Sequence, residues 1–305
     1  MQNGVTLIGP VSRDIVRLPD LPERQQPGGA VFYAGMALRA LGVPVNIITR
    51  LAKQDEATLL TPLRQAGATI TALASTHTTS FINSYGPGTD ERKQEVSAQA
   101  DPFTLGDIPN LATQWVYFGP LLEGDISTAL IRHIADRGAH RIALDAQGLL
   151  RRVTDGNVMP AGWPDKYEIL PRIDILKADA QEAELITAQS NPEMTARILC
   201  GRGVDHALVT LGEAGAILCH RGALIRQPAF RPADKAWPTV DTTGCGDTFL
   251  AAYLGGIIEG KQPAEAGRYA ATAAALKQTV FGPLMADMRE VLRMVEKTWS
   301  GFCLD

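Results

Sequence analysis

The chain is poor in the features that announce metal, membrane or nucleic-acid work. Its 305 residues hold four cysteines, Cys200, Cys219, Cys245 and Cys303, and none is spaced as Cys-x-x-Cys. A thiolate metal centre or a disulfide framework is therefore not expected, and a reducing cytoplasm is. Strong charge of one sign is also missing: the net charge is −4, which leaves no basic footprint for nucleic acid or an acidic membrane face. No apolar run approaches the roughly 18 residues of a membrane helix. A strand-like Val5-Thr6-Leu7-Ile8 opens the chain with no basic segment before it, so no secretion signal is expected. Two phosphate-binding signatures are absent as well. No Gly-x-Gly-x-x-Gly follows the first strand, and no glycine loop ends in Gly-Lys-Ser or Gly-Lys-Thr. The five histidines, His77, His133, His140, His206 and His220, are isolated in sequence, and no catalytic or metal role is expected of them.

What is present is an alternation of short apolar runs and helical patterns. Val5–Ile8, Val45–Thr49, Trp115–Phe118, Arg141–Asp145, Ile173–Lys177 and His206–Thr210 read as buried strands. Helices are expected at Ala30–Leu41, Leu59–Gln65, Ser127–Arg137, Ala180–Ala188 and Pro192–Cys200. This rhythm predicts an α/β fold, a mainly parallel sheet with helices on both faces, in a single domain over residues 1–305. Two segments break it. Residues 14–27 are polar at their ends, and residues 78–97 alternate like a hairpin around Gly86-Pro87-Gly88. Both are expected to form a small β lid over one edge of the main sheet. A homodimer contact through Phe81 and Tyr85 of that lid is left open.

The densest chemistry lies in Asp241-Thr242-Thr243-Gly244-Cys245-Gly246-Asp247, which runs into the apolar Leu250-Ala251-Ala252-Tyr253-Leu254. A glycine turn entering a helix aims several N–H groups at one point, with the positive end of the helix dipole behind them. An anion suits that point; a carboxylate beside it is costly unless it takes a proton from an attacking hydroxyl. The segment therefore reads as a phosphoryl-transfer centre. Asp247 is the expected base, with the N–H groups of Gly244, Cys245 and Gly246 stabilising the developing charge. Cys245 could be a reactive thiol at a helix start, or could simply fill an alanine-sized space.

Together these motifs resemble the ribokinase-like, or PfkB, family of carbohydrate kinases, in the family's order from Gly9 to about Gly282. The family's Asp-Thr-x-Gly-Ala-Gly-Asp is matched by Asp241–Asp247 with Cys245 in the alanine place. The resemblance implies that Ser12, Asp14, Gly28, Gly29, Tyr33 and Gln147 lie in the acceptor pocket, Tyr33 standing where ribokinases carry asparagine. It implies that Asp179 and Glu182, in the place of Asn-x-x-Glu, act on Mg²⁺ through water. Thr210, Gly212 and Gly215 would line the ATP phosphates, and Asp241 and Thr243 would help hold K⁺. The activity implied is transfer of the ATP γ-phosphoryl to a hydroxyl of a small sugar or polyol. Alternatives are a nucleoside kinase of the same family, with Phe32 or Tyr33 stacking on a base, and a catalytically silent sugar- or nucleotide-binding relative.

Overall fold

The alternation of strands and helices resolves into two sheets in a computed structural model, which describes residues 2–17, 22–85, 92–231 and 239–299. The first strands are β1 (Gln2–Ile8), β2 (Ser12–Arg17), β3 (Arg24–Gly28), β4 (Val45–Leu51), β5 (Thr69–Ala74), β6 (Ser80–Tyr85) and β7 (Arg92–Ala98). There follow β8 (Thr113–Phe118), β9 (Arg141–Asp145), β10 (Arg151–Thr154), β11 (Asn157–Pro160), β12 (Ile175–Asp179), β13 (His206–Thr210), β14 (Ala216–His220) and β15 (Ala223–Gln227). The longer helices are α1 (Ala30–Ala40), α2 (Thr128–Ala135), α3 (Ala180–Thr187), α4 (Pro192–Gly201), α5 (Cys245–Ile258), α6 (Pro263–Gln278) and α7 (Met288–Trp299).

Nine strands form the main sheet in the order β15-β14-β13-β12-β9-β8-β1-β4-β5. All neighbours from β13 to β5 pair in parallel, and β14 and β15 close one edge as an antiparallel hairpin. Both faces are covered, which explains why the strands read as nearly continuous apolar runs. Val5, Leu7, Tyr117 and Leu208 pack on one side with α1, α5, α6 and α7. Ile8, Val116, Phe118 and Val209 pack on the other with α2, α3 and α4.

The two segments outside the rhythm contribute to a second sheet, ordered β10-β11-β7-β6-β2-β3. β2 pairs with β6 in parallel, and the other contacts are antiparallel. A small apolar cluster of Ala30, Phe81, Leu121 and Leu122 lies between this sheet and the main body. Arg13 of β2 pairs with Asp55, whose carboxylate also accepts from the Thr78 hydroxyl at 2.5 Å. The turn at Gly86-Pro87-Gly88 lies outside the described residues.

Three sequence expectations are adjusted here. The strand expected at Ile173–Lys177 is shifted to Ile175–Asp179, so Asp179 ends a strand and caps α3. The helix expected over Leu59–Gln65 is two short ones, Glu56–Leu59 and Thr61–Gln65, the second entered through Pro62. The β10–β11 hairpin was not anticipated; it turns at Asp155 and Gly156, both at positive φ.

Candidate active site

From β1 the sheet grows through β4 and β5 toward one edge, then restarts at β8 and grows through β9, β12 and β13 toward the other. The reversal between β1 and β8 opens a crevice at the carboxyl ends of the strands, where open α/β sheets bind ligands. Gly9 and Gly119 follow those two strands, and a Cβ on Gly9 would lie 2.4 Å from the Gly119 carbonyl. Asp145, Asp179 and Thr210 end β9, β12 and β13 on the same side.

The glycine loop enters this crevice. Gly244 precedes α5 in the left-handed region, at φ 80°, a conformation costly for other residues. A Cβ there would lie 2.3 Å from the Tyr33 ring, so the loop rests directly on that aromatic face. Thr243 N–H donates to Asp241 Oδ1 at 2.9 Å, and Cys245 N–H donates to the Thr242 carbonyl at 3.2 Å. The N–H of Cys245 is thus engaged within the loop, contrary to the expectation that it meets an anion. Among the described residues no acceptor is bonded to the N–H of Gly244 or Gly246. Those two remain free at the positive end of a 14-residue helix.

Asp247, on the first turn of α5, meets a dense cluster of charge. Its carboxyl lies beside that of Asp145 of β9. Asp145 is fully buried; Lys177 Nζ lies 3.2 Å from its Oδ2 and 3.8 Å from Glu182 Oε2. Arg151 Nη2 approaches the other Glu182 oxygen at 3.4 Å. The ammonium of Lys177 also reaches the loop, since a Cβ on Gly246 would lie 3.1 Å from it. Burial, then the neighbouring Asp145 charge, push Asp247 up to about 7, against the pull of Lys177 and Arg151. Asp145 is raised by burial as well, with Lys177 opposing. Burial disfavours the charge on Lys177, but Asp145, Glu182 and Asp247 more than offset it and hold its pKa above the usual range. A carboxyl tuned near neutrality can accept a proton in a reaction at physiological pH. Sequence reading missed Lys177 as a site residue; the available signal was a lysine in an otherwise apolar strand. It used Asp145 only to mark a strand end.

On the opposite wall, Ser12 Oγ donates to Asp14 Oδ1 at 2.7 Å. A Cβ on Gly28 would fall 2.2 Å from Asp14 Oδ2, and one on Gly29, at φ 96°, would lie 2.8 Å from the Pro10 carbonyl. The glycine pair therefore lets the backbone close over Asp14. Gln147 is half-buried, and its N–H donates to Asp145 Oδ1 at 3.1 Å. Burial first, then the charges of Asp14, Asp241 and Asp247, raise the Tyr33 hydroxyl, which therefore lies beside the residues expected with it in the acceptor pocket. Tyr33 is 1% exposed, and its hydroxyl has no hydrogen-bond partner among the described residues. Its ring is the floor of the Gly244 loop.

On the donor side Gly212, at φ 57°, has open space around the position of a Cβ, whereas a Cβ on Gly215 would lie 2.1 Å from the Gln227 carbonyl. Gly212 leaves room for a ligand beside Thr210; Gly215 is required by the β14–β15 hairpin. Asp179 and Glu182 form a reciprocal cap on α3, each side chain accepting from the other's N–H at 2.8 Å. Their oxygens are hard donors of the kind Mg²⁺ prefers. Because they are already engaged, they fit an ion reached through water. Cys245 is pushed up to about 11 by burial together with Asp241 and Asp247, with Lys277 opposing. The residue is half-buried and its Sγ lies 3.6 Å from the Ala274 carbonyl, an arrangement that disfavours the reactive reading. His206 and His220, isolated in sequence, stack at 4.1 Å across the β13–β14 register beside Asp205. Arg141 pairs with Asp205 at 3.3 Å, and the Tyr253 hydroxyl lies 2.8 Å from His206 Nδ1; Asp205, His206 and His220 bring one ligand atom each to within 4.8 Å of one another.

The model of the pfkB family carbohydrate kinases matches residues 64–286, more than half of the chain. The chain belongs to this family. The match includes the Asp241–Asp247 loop, the Asp179–Glu182 cap and the Lys177 strand. Ribokinase of Arabidopsis thaliana is 36% identical over 140 residues, 44% of this chain and 36% of that protein. The alignment thus spans little more than a third of that curated relative. Two solved structures agree over nearly the full length. A pyrophosphate-dependent kinase in the ribokinase family, solved as a sulfate complex, has TM-score 0.84 and 29% identity over 95% of this chain and 99% of that one. A variant in which a pyrophosphate-dependent myo-inositol-1 kinase was converted into a myo-inositol-3 kinase has TM-score 0.81 and 27% identity over 96% and 98%. The ribokinase-like fold expected for this pfkB chain is thereby shown. No helix among the described residues is long and apolar enough to cross a membrane.

Proposed function

We propose that this pfkB chain phosphorylates a hydroxyl of a small sugar or polyol, with Asp247 as general base. One observation carries this reading. Asp247 stands at the start of α5 beside two free loop N–H groups, and burial with the Asp145 charge brings its carboxyl to about 7. Asp247 acts as base in the state in which it is ionised and any proton held by the Asp145–Asp247 pair rests on Asp145. An acceptor hydroxyl between Asp14 and Asp247 donates to Asp247 and gives up its proton as attack begins. The N–H groups of Gly244 and Gly246 meet the charge of the transferring group, and Lys177 adds a fixed positive charge beside them. Asp14, with Ser12 and the Gly28-Gly29 backbone, orients the acceptor. Gln147, near Asp145, faces the same crevice.

The donor in this reading is ATP, beside Thr210 and Gly212, with Mg²⁺ held through water by Asp179 and Glu182. Bound there, Mg²⁺ supplies charge neutralisation on the donor phosphates. A second donor, pyrophosphate, is favoured by a specific arrangement. Lys177 and Arg151 both face the Glu182 carboxylate beside the loop, and the solved relatives named as pyrophosphate-dependent are 27–29% identical along nearly the whole chain. The free cysteines and the site chemistry suit a cytoplasmic enzyme.

The test is a matrix of two donors, Mg-ATP and Mg-pyrophosphate, against pentoses, hexoses, inositols and nucleosides, read as phosphorylated product. Product with a sugar or polyol is expected. Product with nucleosides alone would redirect the acceptor assignment, and none with any pair, from folded protein that binds a donor, would favour a silent binding role.

A further inference from the structure

The family resemblance places a monovalent cation beside Asp241 and Thr243, and in this chain the residues there do not fit one. Lys277, at the end of α6, is fully buried, and its Nζ lies 2.7 Å from the Asp241 carbonyl oxygen and 3.0 Å from Asp241 Oδ2. The same carboxylate also accepts from backbone: Thr243 N–H on Oδ1 at 2.9 Å and Gly282 N–H on Oδ2 at 3.4 Å. A second cation on these oxygens would sit against an ammonium of like charge, at a cost in a buried site.

We propose that Lys277 is a tethered cation that holds the anion loop, so that the chain needs no potassium. An ammonium and a potassium ion are close in size and both seek carbonyl and carboxylate oxygens, so one can stand in for the other. The lysine is carried by the last turn of α6, where the helix dipole favours positive charge. From there it bridges to the entry of the loop, where Val240 and Asp241 N–H both donate to the Gln278 carbonyl, at 2.9 and 3.2 Å. Its Nζ also lies 5.7 Å from the centroid of Tyr33, the ring on which Gly244 rests. Lys277 thus fixes Asp241 from one side and supports the floor of the loop from the other. It touches no reacting atom; it is a positioning residue, and its catalytic consequence rests on the function proposed above.

The test compares wild type with Lys277→Ala and Lys277→Met in sodium, potassium, methylammonium and tetramethylammonium chloride at equal ionic strength. Thermal midpoint is read first, because it requires no knowledge of donor or acceptor. Wild type is expected to show the same midpoint in all four salts. Lys277→Ala is expected to have a lower midpoint, partly restored by potassium or methylammonium and not by the bulky tetramethylammonium. Lys277→Met, which fills the space without the charge, is expected to stay low in every salt. With a donor and acceptor in hand, wild-type turnover is expected to be indifferent to the cation. Turnover of Lys277→Ala should fall on the order of 10²-fold, the cost of misplacing a catalytic group by about an ångström, and recover with the same two cations. A wild type stabilised or activated by potassium over tetramethylammonium overturns the proposal, and this comparison needs no variant to fold. A Lys277→Met protein indistinguishable from wild type in midpoint also overturns it. If the midpoints behave as expected and no acceptor is ever turned over, the tethered cation stands and the kinase reading fails.

Discussion

Two buried lysines stand on either side of the glycine loop, and they live in opposite electrostatic circumstances. Lys277 faces one carboxylate, Asp241, whose other contacts are backbone N–H groups, so the charges balance. Lys177 faces three carboxylates, Asp145, Glu182 and Asp247, and Arg151 is a second cation on that cluster. The first pair is satisfied and holds the backbone. The second is overloaded with negative charge, and the excess appears as a carboxyl whose pKa is pushed to about 7. Satisfied ion pairs build; frustrated ones are poised for proton transfer.

The strongest way to break this contrast is Asp247→Asn. Turnover is expected to fall by about 10²–10⁴, the usual worth of a general base. The sign on stability is the reverse. In the folded protein the Asp247 carboxyl keeps its proton to about 7, against 3.8 ordinarily. Its contribution to stability is therefore full below 3.8 and is lost as pH rises through about 7. The amide of the Asp247→Asn variant does not ionise and would not bear that loss. Equilibrium unfolding above neutrality is therefore expected to show the variant equal to or more stable than wild type. Lys177→Met removes the cation from the overloaded cluster. Breaking a buried pair costs about 3–5 kcal/mol, measured as a lower denaturation midpoint, and the base should titrate at higher pH still.

A smaller effect is expected at the loop itself. Gly244→Ala sets a methyl group against the Tyr33 ring at positive φ, a strain of about 1–3 kcal/mol. Adding Tyr33→Leu should recover part of the lost stability, which a double-mutant cycle would show as coupling. The smallest effect belongs to Cys245: with its thiol at about 11, alkylation of native protein at neutral pH should be negligible, and Cys245→Ala should leave turnover near wild type.

Much of this was readable before the fold was known, and what was missed shares a cause. Asp247 and its glycines announce themselves because a turn, a helix start and an acid are contiguous. The main strands announce themselves because both faces of a parallel sheet are buried and the runs are apolar. Asp145 and Lys177 meet because β9 and β12 are neighbours in the sheet, and Lys277 reaches Asp241 from α6; local pattern encodes neither meeting. Tyr33 also supports Gly244 from below, a contact that its place in the sequence does not reveal. The β10–β11 hairpin had a legible turn in Asp155-Gly156, but Arg151–Thr154 and Asn157–Pro160 are short and too polar to show clear alternation.

The measurement that bears most directly on the central claim is the pH dependence of phosphoryl transfer by the wild-type enzyme with its best donor and acceptor. The paired carboxyl predicts an acid limb with a midpoint near 7, moved to higher pH in Lys177→Met. A rate that is flat across neutrality, or a limb that Lys177→Met leaves in place, would contradict the assignment of Asp247 as the base.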